Sequence, residues 1–284
     1  MKIGYLGPEG TFSQLAALQF SKKLKNYKME QFPSIAELTI AAHQGKIDFA
    51  VVPIENSLEG GVNTTLDYLA FDCNLSICGE ILLKINQSIL SNSEKITKLY
   101  SHPQSIGQCG RYIAQNYANA EVVFTQSTAQ AAMLAAKEEG AAAIGSESLA
   151  GLYNLKVVAS EIEDVRTNTT RFVIVSKDCP PIEGADKTSI VFGVSDTPGA
   201  LYKMLSIFDI FEINMVKIES RPAKTTLGTY VFFVDIDGSA TDEKIKKALE
   251  IIQYKSTFFK NLGSYKQCNN VLDKNALHFK RGRV

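Results

Sequence analysis

Thr167, Asn168, Thr169, Thr170 and Arg171 stand in succession at the mouth of the apolar run "FVIV" at 172–175. Hydroxyls, an amide and a guanidinium together can hold a small polar ligand, and a planar guanidinium can grip a carboxylate with two hydrogen bonds. A tight turn would carry Gly or Pro there; a plain polar start to a strand is the alternative. A second cluster, Glu55, Asn56 and Ser57 in "VVPIENSLEGGV", closes another buried strand. Its Gly60 and Gly61 permit a close backbone approach or a turn. Thr11 and Ser13 in "YLGPEGTFS", and Ser127 and Thr128 in "VVFTQSTAQ", each follow a strand and open a helix. In open α/β sheets ligands bind at such places, where free helix N–H groups meet anions. His102 in "SHPQSIGQC" could act as a general base or hydrogen-bond at a helix start. The set suits a small carboxylate ligand.

Other chemistries lack their residues. No G-x-G-x-x-G follows the first strand, and neither a phosphate-binding G-x-x-x-x-G-K-[ST] nor a G-x-S-x-G elbow occurs. His43, His102 and His278 are not spaced as H-E-x-x-H. Cys73, Cys78, Cys109, Cys179 and Cys268 contain no C-x-x-C, so neither zinc nor redox chemistry is suggested and free thiols are expected. Formal net charge is zero, which favours neither nucleic acid nor an anionic membrane as partner. No apolar run approaches the roughly 20 residues of a membrane span, and "MKIGYLG" is unlike a signal peptide. A cytoplasmic protein is expected. The basic Lys280, Arg281 and Arg283 read as a solvated terminus.

A chain of 284 residues, 45% hydrophobic and 21% charged, has room for two domains with sizeable cores. Apolar runs at 3–6, 49–54, 77–90 (interrupted), 98–101, 122–125, 142–145 and 172–175 read as strands. Between them Phe12, Leu15, Ala16 and Phe20 share a helix face, as do Ile35, Leu38 and Ala42. Strands alternating with helices predict an α/β architecture with mainly parallel sheet over 1–177. Thr11 to Gln14, Ser34 to Glu37 and Ser127 to Gln130 fit the capping box. "DCPPIEGADK" at 178–187 reads as a linker. Over 188–268 the pattern becomes βαββαβ, a ferredoxin-like arrangement in a unit small enough to need association; 269–284 is a tail.

"GPEGTFS", "VPIENSLEGGV", "SHPQSIGQC", "STAQAA" and "NTTRF", in that order, resemble the signatures of prephenate dehydratase. The second unit, with "PGALYKML" and "KIESRP", resembles the ACT regulatory module of that family. The resemblance covers nearly the whole chain; Ser105 and Ile106 stand where an Ala-Leu pair is commoner. No chorismate mutase segment precedes "MKIGYLG", so the likeness is to monofunctional members. It implies a two-lobed catalytic domain resembling a type II periplasmic-binding-protein fold, with 167–171 at a crossing that faces the cleft. It further implies loss of water and carbon dioxide from prephenate to give phenylpyruvate, in phenylalanine biosynthesis, without cofactor or metal. Thr170 is implicated in catalysis; Thr11, Ser13, Glu55, Asn56, Ser57, Ser127, Thr128, Arg171 and Phe172 are expected around the substrate. Arg171 is assigned a substrate carboxylate. A partly desolvated Glu55 rivals Thr170 as proton donor. Gly199, Ala200 and Leu201, with Glu219, Ser220, Arg221 and Pro222 of a neighbouring subunit, would enclose L-phenylalanine in a homodimer or homotetramer. Arogenate dehydratase and a non-catalytic amino-acid sensor are the competing functions.

Overall fold

The structure, a computed structural model, describes residues 1–224 and 229–272; Lys280, Arg281 and Arg283 of the basic tail lie outside them. The first lobe holds β1 (Lys2–Leu6), α1 (Phe12–Ser21), β2 (Lys28–Phe32), α2 (Ile35–His43) and β3 (Phe49–Asn56). It continues through β4 (Gly60–Gly61), α3 (Asn63–Asp67), which runs on as a π-turn, and β5 (Ser76–Lys84). The second lobe contains β6 (Ser88–Ser91), β7 (Lys98–Ser101), α4 (Pro103–Gln108), α5 (Gly110–Asn116), β8 (Glu121–Phe124), α6 (Thr128–Ala135), β9 (Ala141–Gly145), α7 (Ser148–Tyr153) and β10 (Lys156–Ser160). β11 (Thr169–Ser176) returns to the first lobe.

The first sheet runs β2-β1-β3-β11-β5 and the second β10-β6-β9-β7-β8. β1 is parallel to β2 and β3, and β7 to β8 and β9. β11 runs antiparallel to β3 and β5, and β6 antiparallel to β9 and β10. The sheets are therefore mixed rather than mainly parallel. In each lobe the strand that breaks the direction, β11 in the first and β6 in the second, is the one by which the chain enters from the other lobe. The apolar run at 77–90 is two strands in two sheets, parted at 85–87, and this break is the first crossing. The second crossing, 161–168, lies beside it: Ile85 N–H donates to the Asn168 carbonyl (2.9 Å) and Ile162 N–H to the Gln87 carbonyl (3.0 Å).

All three expected caps form. Thr11, Ser34 and Ser127 accept from the N–H groups of Gln14, Glu37 and Gln130. Each satisfies a first-turn donor that has no partner within its helix.

The C-terminal unit is β12 (Lys187–Gly193), α8 (Ala200–Ile210), β13 (Met215–Pro222), β14 (Tyr230–Asp237), α9 (Glu243–Lys255) and β15 (Phe258–Tyr265), with strand order β13-β14-β12-β15. β12 takes in Lys187, the last residue of the expected linker. One face of the sheet packs Ile190, Phe192, Val234 and Ile236 under the two helices. The other face, with Val191, Val231, Phe233, Leu262 and Tyr265, shares a core with Leu38, Val52, Leu66, Leu69 and Val173 of the first lobe. The contact is tight at Gly263. Its φ is +119°, and a Cβ there would lie 2.8 Å from the Ile77 carbonyl oxygen. After β15 the chain returns to the first lobe, where Leu272 exchanges backbone hydrogen bonds with Leu82 and Lys84. Within the described residues 269–272 only Leu272 is paired in this way, while Asn269, Asn270 and Val271 are exposed.

Cys78 and Cys179 are joined as a disulfide, against the expectation of five free thiols, with Cα atoms 5.7 Å apart. Cys73 and Cys109 are buried, and Cys268 is half-buried. Burial, with Glu163 and Asp164 adding, pushes the Cys109 thiol up to about 12. The thiolate is the reactive form. Alkylation of the native protein at pH 8 should therefore label Cys268 first and Cys109 only on unfolding, as read by mass spectrometry. Among the described residues no helix is long and apolar enough to cross a membrane.

Candidate active site

A cleft of about 500 Å³ lies between the lobes beside the two crossings. That volume is ordinary for a small-molecule site. Thr11 and Ser13 from the start of α1, Ser127 and Thr128 from the start of α6, and Asn56 and Thr170 from the ends of β3 and β11 all line it. Six of the expected site residues thus converge from four separate stretches of sequence. First-turn residues of α1 and α6 face the cleft from opposite lobes, so two helix N-termini offer it their positive ends.

Thr170 lies opposite Asn56 in the ladder, and the two side chains are bonded in a fixed sense. Asn56 Oδ1 accepts from the backbone N–H groups of Leu58 (2.9 Å) and Glu59 (3.2 Å). That orients Nδ2 the other way, where it donates to Asn168 Oδ1 (2.8 Å) and Thr170 Oγ1 (2.9 Å). An amide flip would set carbonyl oxygen against carbonyl oxygen at Asn168. Thr170 Oγ1 is therefore an acceptor toward Asn56, and its own hydrogen is left for the cleft. Asn168 Nδ2 and Gln87 Oε1 are buried without a hydrogen-bond partner among the described residues, and both residues line the same cleft. Buried polar atoms seldom stay unpaired; here a ligand can complete them.

Alternation along the strands sends the neighbouring side chains elsewhere. Arg171, expected on a substrate carboxylate, is 7% exposed and faces the C-terminal unit. Its Nε donates to Glu80 (2.7 Å), Nη1 to Asp235 (2.6 Å) and Nη2 to Tyr265 (2.7 Å). Burial alone would lower this guanidinium, but Tyr265, Asp235 and Glu80 outweigh it and hold it above its ordinary value. Glu55, the rival proton donor, pairs with Arg171 (3.4 Å) and Lys217 (3.2 Å) on that far side. Ser57 ties the end of β3 to the return crossing: its Oγ donates to the Thr167 carbonyl and accepts from Thr169 N–H. Phe172 is in the core beneath α1 with Ile3, Tyr5 and Leu15. Glu55 and Arg171 are behind the cleft wall because a period of two separates 55 from 56 and 171 from 170, whereas Phe172 shares the face of Thr170 and lies in the core next to it.

Among the described residues the lining holds neither Lys nor Arg, and its ionisable side chains are Glu59 and His102. His102 caps α4, its Nδ1 accepting from Gln104 N–H (3.3 Å), as one of its two sequence readings had it. Glu59 reaches across from the first lobe and accepts from Gln104 Nε2 of the second (2.5 Å). Sequence reasoning missed Gln87, Gln104, Gln108, Gln126 and Asn168 as lining residues. Asn168 belonged to the polar run first singled out, and the break at 85–87 marked Gln87.

A shallow depression in the C-terminal unit is bordered by Gly199, Ala200 and Leu201 with Val194, Tyr230 and Phe232. Gly199 has φ +76° at the start of α8, with open space where a Cβ would stand. Glu219, Ser220, Arg221 and Pro222 do not border it within the chain. Glu219 pairs with Lys217 (3.1 Å), and Arg221 with Asp67 of α3 (3.2 Å). Ser220 and Pro222 are exposed on the opposite face of β13.

Comparison with known proteins gives this arrangement a family. The prephenate dehydratase model matches residues 3–180 and the ACT domain model residues 188–252. The bifunctional chorismate mutase/prephenate dehydratase of Aquifex aeolicus is 41% identical over 268 residues, 93% of this chain and 73% of that one. The prephenate dehydratase of Lactococcus lactis subsp. cremoris is 37% identical over 93% of this chain and 97% of its own. The solved structure of prephenate dehydratase from Arthrobacter aurescens in complex with L-Phe superimposes with a TM-score of 0.85 at 33% identity, covering 94% of this chain and 90% of that one. The fold and cleft are those of an α/β enzyme followed by an ACT domain. The chain belongs to the prephenate dehydratase family.

Proposed function

We propose that the cleft converts prephenate to phenylpyruvate, with Thr170 hydrogen-bonded to the departing hydroxyl. The Asn56–Thr170 bond carries this reading, because it leaves the Thr170 hydrogen free to donate where charge develops. The C4–O bond breaks, and the leaving oxygen departs as water. The ring carboxylate departs as carbon dioxide, and its bonding pair completes the aromatic ring. The net step takes up one proton. A threonine hydroxyl is a weak acid, but a positioned donor acts on the transition state, and aromatisation supplies the driving force. Ser13, Ser127 and Thr128 offer the two carboxylates neutral donors, and α1 and α6 their N-termini, in place of a cation; the Thr11 hydroxyl lines the cleft but donates to the Leu6 carbonyl (2.9 Å). Prephenate supplied to the purified chain should yield phenylpyruvate; arogenate consumed in its place, or neither, would overturn the reading.

The depression at Gly199, Ala200 and Leu201 is the site proposed for L-phenylalanine. The exposed edge of β13, with Val216 and Ile218 each more than 40% accessible, invites a second copy in a homodimer or homotetramer. A cytoplasmic location fits the sequence pattern. Gly199→Val forces a β-branched side chain into a left-handed conformation and fills the depression. Inhibition by L-phenylalanine should disappear while kcat stays within about twofold of wild type. Equal loss of both would refute this division of labour.

A further inference from the structure

β3 and β11 fall out of step one residue from Thr170. Arg171 lies opposite Glu55 but Phe172 opposite Pro53, so Ile54 is the extra residue of a bulge. Pro53 has no N–H to give the ladder, and bulges re-aim the side chains beside them. On that side the ladder alone does not set the twist of the strand that carries Thr170. The Arg171 guanidinium holds it from behind. Two of its three close partners, Asp235 and Tyr265, belong to the ACT sheet and are bridged by the Ser189 hydroxyl. The third, Glu80, is itself gripped by Lys187 of the same sheet (2.9 Å).

We propose that Arg171 is a positioning residue: anchored by Asp235 and Tyr265, it sets the angle at which Thr170 meets the substrate, so that the ACT domain completes the catalytic geometry. The inference rests on the function proposed above. A shift of the ACT sheet turns β11 at its bulge and thereby reaches the Thr170 hydroxyl without entering the cleft.

Asp235→Asn and Tyr265→Phe test it, with Lys260→Met as control. Lys260 joins the ACT domain to the first lobe elsewhere, through the carbonyls of Leu69 and Cys73. Asp235→Asn should lower kcat for prephenate by about tenfold or more, with KM within about twofold, since small misplacements at a reacting centre are costly. Tyr265→Phe should do so more mildly, and Asp235→Glu should recover part of the loss. Lys260→Met should lower the melting temperature but leave kcat unchanged. Hydrogen exchange over 165–175 gives a readout that needs no turnover, and it should quicken in Asp235→Asn and not in Lys260→Met. An unchanged kcat and exchange in Asp235→Asn would overturn the proposal, as would equal losses in the control. A wild-type chain that leaves prephenate untouched would instead refute the function, with the exchange still deciding the anchor.

Discussion

Thr170→Val should lower kcat by roughly 10²–10⁴-fold, the span typical of losing a positioned proton donor, whereas Thr170→Ser should stay within about tenfold of wild type. Valine keeps the shape and removes the hydroxyl; serine keeps the hydroxyl and loses a methyl. Asn56→Asp separates this from a simple loss of bulk. The Asn56 amide is what makes Thr170 Oγ1 an acceptor on its inner side. A carboxylate at 56 would draw the Thr170 hydrogen toward itself and away from the cleft, so Asn56→Asp should be as damaging as Thr170→Val. Glu55→Gln should cost much less, because Glu55 is turned to Arg171 and Lys217 behind the wall. Steady-state assay of the four variants decides it: a Glu55→Gln defect larger than that of Thr170→Val would remove Thr170 from its role.

Arg171→Met should lower the melting temperature by roughly 6–20 °C. The substitution leaves Glu80, 1% exposed at its side chain, and Asp235, 9% exposed, with one cation fewer between them. Breaking a buried pair from one side typically costs about 3–5 kcal/mol. In a chain of this size each kcal/mol is worth roughly 2–4 °C. Lysine should be a poor replacement, since a single ammonium cannot direct donors at Glu80, Asp235 and Tyr265 together. Tyr265 is pushed up by burial, with Asp235 adding, and remains a neutral hydroxyl in this network. A calorimetric midpoint within about 2 °C of wild type would mean that the network contributes little.

The units and the crossing were legible because they obey local rules. Capping residues announced α1, α2 and α6, the change of hydrophobic period marked the C-terminal unit, and the polar run at 167–171 pointed to a wall of the cleft. Direction was harder. Nothing local in "SILS" or "FVIV" says that β6 and β11 run against their neighbours, because pairing direction is set by which lobe the chain comes from. Lys28–Phe32 and Lys156–Ser160, both at sheet edges, escaped notice because half-exposed strands carry a weak apolar pattern. Arg171 was misplaced for another reason. Guanidinium chemistry suits a carboxylate ligand, and the sequence around it does not reveal that Glu80 and Asp235, each more than 60 residues away, supply carboxylates from within the protein.

The core shared by the ACT sheet and the first lobe bears on how the molecule comes apart. Cooperative units follow continuous packing rather than evolutionary modules. Val191, Phe233 and Tyr265 are buried with Leu38, Val52 and Leu66, while the cores of the second lobe are built from its own residues and the crossing. Heating should therefore melt residues 1–84 and 169–265 as one body, and the second lobe, an insertion in the middle of the chain, as another. The boundary that matters to unfolding runs through the cleft and leaves the linker at 178–187 inside a single block.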